Sequence, residues 1–97
     1  MEGAALSGKT VLVIGASSGI GLATANLFAD AGSTVHAAAR RSEAIQAGAG
    51  VRNVTAHALD ISDKEAVWRT VEEVGESEGI DILVVAAGMN VLERRLE

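Results

Sequence analysis

The stretch Gly15-Ala16-Ser17-Ser18-Gly19-Ile20-Gly21 follows directly on the apolar run TVLVI, Thr10–Ile14. Its three glycines are spaced G-x-x-x-G-x-G, and a helical pattern starts where the last two stand. This arrangement suits a diphosphate. Gly15 can take the sharp turn out of a strand, because no Cβ restricts its φ. Gly19 lets a diphosphate approach the main chain, and Gly21 lets the following helix pack close to the sheet. The helix start then offers free amides and a positive dipole end to the phosphate charge. Each dipole contact contributes roughly 0.3–1 kcal/mol, so several amides must act together. Ser17 and Ser18 add hydroxyl donors. A strand-to-helix turn without a ligand is the alternative, but a tight turn seldom needs three glycines in this register. A P-loop is excluded, since no G-K-[ST] follows the final glycine. Gly8-Lys9-Thr10 has that form but precedes the strand, and reads as a turn.

The elements that must hold this loop can be read from the apolar pattern. Thr10–Ile14 is β-branched and continuous, as in a strand buried on both faces. Residues 19–31 repeat Ile20, Ala23, Leu27 and Ala31 at helical spacing, with Gly32 as the stop. A second strand is expected over 33–39, a short and weakly patterned helix over 41–49, and a third strand within 51–59. Ser62-Asp63-Lys64-Glu65 reads S-x-x-E, a capping box in which Ser62 and Glu65 satisfy free amides at a helix start. The helix that follows turns Val67, Val71 and Val74 inward and Glu72, Glu73 and Glu76 outward, and Gly79 ends it. Residues 80–87, IDILVVAA, form the strongest fourth strand. Alternating strands and helices predict an α/β fold, a Rossmann-type parallel sheet with helices on both faces and strand order 3-2-1-4.

Composition narrows the function further. The 97 residues suit one domain. Aromatics make up 2 %, so the core must be Val, Ile, Leu and Ala. The absence of Cys excludes disulfides and thiol chemistry, and is compatible with a reducing cytoplasm. Net charge is −5 and no basic run exceeds a pair, which argues against general nucleic-acid binding. No secretory signal opens the sequence, and no apolar run approaches the ~18 residues of a membrane span. The expectation is a soluble, cytoplasmic domain.

Here the residues point to a family. TVLVIGASSGIG closely resembles the opening of the short-chain dehydrogenases/reductases, whose fingerprint is T-G-x-x-x-G-I-G, with Ile14 where Thr is usual. Ser7-Gly8-Lys9 matches the usual lead-in. Leu59-Asp60-Ile61 matches the family's acidic position after strand three, and Ala86-Ala87-Gly88 its N-N-A-G segment, with both asparagines replaced. The resemblance covers nearly the whole chain. It implies cofactor contacts from Gly15, Ser17, Ser18, Gly19, Ile20 and Gly21. It also implies that Asp60 and Ile61 meet the adenine, and that the Ala87-Gly88 turn lies beside the ribose.

The choice of cofactor rests on the end of strand two. NAD-binding folds usually place an acid there for the ribose 2′-hydroxyl. Here the run is Ala37-Ala38-Ala39-Arg40-Arg41, with no acid. An Arg suits a 2′-phosphate through a charge-assisted contact, so NADP(H) is favoured over NAD(H). The resemblance points the same way, to Arg40 as the phosphate contact and Arg41 beside it. The alternative for Arg40-Arg41 is a solvated pair starting a short helix, and for Asp60 a cap on the turn before the next helix. His36 and His57 fall on neighbouring strands, and without Cys or H-E-x-x-H they read as structural rather than metal ligands. Trp68, on a mostly polar helix, reads as packing or an interface.

The family's chemistry is hydride transfer between the nicotinamide and a carbonyl or alcohol. It uses a Tyr with a Lys four residues on, a Ser and an Asn. This sequence has no Tyr, so Y-x-x-x-K is absent, and Lys9 and Lys64 are its only lysines. The chain therefore reads as residues 1–97 of such an oxidoreductase: the dinucleotide-binding part, truncated after strand four, with no catalytic residue and no metal site. A non-catalytic NADP(H)-binding or sensing module is the second reading, and a half-enzyme completed by another chain the third. Strand four would form an exposed apolar edge, which invites self-association.

Overall fold

The computed structural model describes residues 6–16 and 19–86. They form strand β1 (Thr10–Ile14), helix α1 (Gly19–Asp30), β2 (Thr34–Ala39), helix α2 (Ser42–Ala49), β3 (Val54–Ala58), helix α3 (Lys64–Glu78) and β4 (Ile82–Val85). The four strands make one parallel sheet in the order β3-β2-β1-β4, as the sequence predicts. The expected α/β class is therefore observed. The elements are shorter than the apolar runs: β3 starts at Val54 and β4 covers only Ile82–Val85.

β1 lies between β2 and β4 and is buried along its whole length, which explains its unbroken apolar sequence. Alternation along the strands splits the core in two. Val11, Val13, Val35 and Ala37 face α1 and α2, where they meet Ala25, Phe28 and Ile45. Leu12, Ile14 and Ala38 face α3, where Val67 and Val71 pack against them. Within the 41–49 segment, Ser42–Ala49 is a regular eight-residue helix whose Ile45 is wholly buried, firmer than its weak pattern suggests.

Helix α1 forms where its periodicity places it and ends in a Schellman motif. The Ser33 amide donates to the Phe28 carbonyl, the Gly32 amide donates to the Ala29 carbonyl, and Gly32 has φ 94°. The stripe that marks the helix is nevertheless its outer side. Ile20 and Leu27 are 66 % and 70 % exposed, and Gly21 and Ala25 are the buried residues. The small side chains face the sheet because the helix start comes too close to the loop after β1 for anything larger. The capping box is also replaced. Asp63, not Ser62, is the N-cap of α3, its carboxylate accepting the Ala66 amide at 3.2 Å.

The C-terminal end of α3 is tied to the sheet through two histidines. His36 and His57 sit diagonally on β2 and β3, on the α3 face. His36 Nδ1 and His57 Nε2 are 2.9 Å apart, and His36 Nε2 is 3.0 Å from Glu78 Oε1. The Glu78 carboxylate can only accept, so His36 donates to it from Nε2. Burial, followed by the neighbouring His36, lowers the pKa of His57 from its ordinary value of 6.5, against an opposing pull from Glu73. β1, behind His36, contributes no ionisable side chain. A lowered folded-state value means the unfolded chain binds more protons just below about pH 6.5. Stability is then expected to decline as pH falls from about 6.5 through the lowered value, and this component to level off below it. Urea denaturation across that range, repeated with His57→Gln, checks this: the variant should lose that part of the slope.

Candidate cofactor site

All four strands run the same way, so their C-terminal ends share one edge of the sheet. Ligands of open α/β sheets sit outside that edge. Gly15 follows β1, Arg40 and Arg41 follow β2, and Asp60 and Ile61 follow β3. The sites singled out in the sequence are thus brought to one side of the molecule. Ser17, Ser18, Ala87 and Gly88 lie outside the described residues.

The glycines serve three separate needs. Gly15 has φ 91° and Gly19 φ 63°, both in the region that favours glycine. The amides of Gly15 and Ala16 donate to the Ala38 carbonyl at 2.7 and 3.3 Å, which ties the loop to the end of β2. A Cβ on Gly19 would meet nothing within 4 Å, so the loop is open on that side. A Cβ on Gly21 would overlap the Gly15 carbonyl oxygen and lie 2.9 Å from its carbon. The helix start is therefore held against the loop itself. Ile20 is exposed at that helix start.

Across the edge, Arg40 and Asp60 form an ion pair, Nη2 to Oδ1 at 3.3 Å. The same Oδ1 accepts the Ser62 hydroxyl at 2.7 Å and the Ser62 amide at 3.0 Å. These bonds, the Ser62 hydroxyl first, then its amide and Arg40, hold the Asp60 carboxyl below its usual pKa. The turn-capping alternative for Asp60 thus describes part of its role. The pairing with Arg40 was not legible in the sequence, since it needs the β2–β3 register. Arg41 is exposed and occupies the N-cap position of α2, without a side-chain cap bond.

Beside this edge, on the α3 face, Ile14, Ile61, Val67, Trp68 and Val85 line an open apolar groove of about 210 Å³, with Lys64 at its border. It forms because α3 does not reach across β4, which leaves Leu83 and Val85 partly exposed. Among the described residues no group of three or more His, Cys, Asp or Glu is arranged to hold a metal. No helix of these residues is long and apolar enough to cross a membrane.

Comparison with known proteins agrees with this fold. The profile of the family described as short chain dehydrogenase matches residues 9–97. The chain is 35% identical over 99 residues to dehydrogenase/reductase SDR family member 12 of Homo sapiens, covering 94% of this chain and 31% of that protein. It is 38% identical over 94 residues to the cyclic-di-GMP-binding biofilm dispersal mediator protein of Escherichia coli, covering 96% of this chain and 38% of the relative. Among solved structures, 2-keto-3-deoxy-D-gluconate dehydrogenase from Streptococcus agalactiae superposes with a TM-score of 0.66 at 32% identity, over 80% of this chain and 32% of that one. The chain thus spans about a third of the length of these relatives.

Proposed function

Because the chain belongs to the short-chain dehydrogenase family, we propose that it is the cofactor-binding part of an NADP(H)-dependent oxidoreductase acting on a carbonyl or alcohol. The observation that carries this reading is the loop of Gly15, Gly19 and Gly21, opening at the strand edge beside Arg40. The loop amides and the start of α1, with Ser17 and Ser18, would hold the diphosphate. Arg40, with Arg41 next to it, would take the 2′-phosphate. Asp60 and Ile61 would border the adenine, and Ala87 and Gly88 the ribose. The bound nicotinamide would supply the hydride acceptor or donor. The chain's own residues hold and orient it, and with no Tyr in the sequence the family's proton donor must come from elsewhere. The reading includes a cytoplasmic location, with which the lack of Cys is in keeping.

Titration of the chain with NADP+ and with NAD+ tests this. Binding of NADP+ with a clear preference over NAD+ supports it, and binding of neither overturns it. The missing Tyr also favours a second reading, a non-catalytic NADP(H)-binding or sensing module. That reading predicts binding without reductase activity even when the whole natural protein is assayed.

Self-association through β4 is a further part of the proposal. Among the described residues its outer edge is unpaired, and Leu83 and Val85, on the α3 face, lie beyond the cover that helix gives and are exposed. Sedimentation should show a concentration-dependent dimer, weakened by Leu83→Lys. A clean monomer at all concentrations counts against it.

A further inference from the structure

We infer that Asp60 sets the cofactor preference of this site by holding Arg40 back from the 2′-phosphate, so that it acts as a brake on NADP(H) affinity. The inference rests on the cofactor reading above and deepens it. Arg40 and Asp60 face each other across the ends of β2 and β3, Nη2 to Oδ1 at 3.3 Å. Of the two, Asp60 is the anchored partner. Its Oδ1 is fixed to the β3–α3 turn by both the hydroxyl and the amide of Ser62. Arg40 is the less constrained one, its side chain 76 % exposed against 48 % for Asp60. A phosphate reaching the Arg40 fork must therefore compete with a carboxylate that is already there. It must also accept a like charge at short range after binding. Both effects have the same sign, and both act on the phosphorylated cofactor alone.

NADP+ and NAD+ differ only in the 2′-phosphate, so any contact of Asp60 with the adenine cancels in the ratio of their affinities. Asp60→Asn keeps the shape and the bonds to Ser62 but removes the charge. The variant should favour NADP+ over NAD+ more strongly than the wild-type chain, by about two- to fivefold at low salt, as expected for exposed charges. The gain should shrink as salt rises. It should also shrink in an Arg40→Gln background, where competition for the guanidinium is gone and only repulsion remains. If both cofactors bind and the ratio is unchanged or falls, the inference is overturned while the cofactor reading stands. If neither cofactor binds to either protein, the cofactor reading fails and takes this inference with it.

Discussion

Gly21→Ala should lower the urea midpoint of this protein far more than Gly48→Ala. Both glycines lie inside helices, and at both alanine gains helix propensity of roughly 1 kcal/mol. At both, an added Cβ also runs into a neighbour. The neighbours differ in kind. At Gly48 the Cβ overlaps the Cδ2 methyl of Leu22, the far end of a side chain that can change rotamer. At Gly21 it overlaps the carbonyl oxygen of Gly15, with the Gly15 carbon at 2.9 Å and the Ala16 Cα at 3.1 Å, all of them backbone. That backbone is fixed by the hydrogen bonds of Gly15 and Ala16 to Ala38. Relief therefore requires the start of α1 to move away from the loop, at a cost typical of overpacking, about 1–3 kcal/mol or more. Gly48→Ala should fall within about 0.5 kcal/mol of the wild type, as most tolerated substitutions do. On the proposed cofactor reading, Gly21→Ala should also weaken dinucleotide binding, because the amides that would meet the diphosphate move with the helix. Equal midpoints for the two variants would mean that the loop and helix are not held together as described.

The parts of this fold that the sequence made legible are those where one physical demand acts alone. TVLVI can only be a strand buried on both sides, and the structure returns the same five residues. The glycine loop was legible because the positive φ of Gly15 and Gly19 and the close approach at Gly21 each exclude other residues. Where two demands compete, the sequence was ambiguous. Helix α1 is apolar on both sides, so its periodicity marks a helix without saying which side packs. Contact with the loop selects Gly21 and Ala25 and leaves Ile20 and Leu27 outside. Ser62 and Asp63 are both good caps; in the structure Asp63 takes the role, and the Ser62 hydroxyl instead donates to Asp60. The order of the strands was legible, but side-chain pairings between them were out of reach. The links of His36 to His57 and of Arg40 to Asp60 depend on β2–β3 register, in which Ala38 opposes His57 and Ala39 opposes Ala58.

Arg40→Gln should cost NADP+ roughly ten- to a hundredfold in affinity, the range of one hydrogen bond to a charged group. NAD+ should be affected little, since it brings no phosphate to this position. The structure adds two refinements. Arg40 stands at the strand edge with its guanidinium exposed, whereas Arg41 occupies the N-cap position of α2. Arg41→Gln should therefore have the smaller effect on the NADP+ to NAD+ ratio. Arg40→Lys should recover part of the loss, because the charge returns but the planar fork does not. The two contributions can be separated by salt: the part due to charge alone is screened as ionic strength rises, while the geometric advantage of Arg over Lys persists. Equal losses for NADP+ and NAD+ in Arg40→Gln would instead mean that the residue supports the fold of the edge, and the 2′-phosphate assignment would fall. Loss of discrimination in Arg41→Gln alone would move the assignment one residue along, to the start of α2.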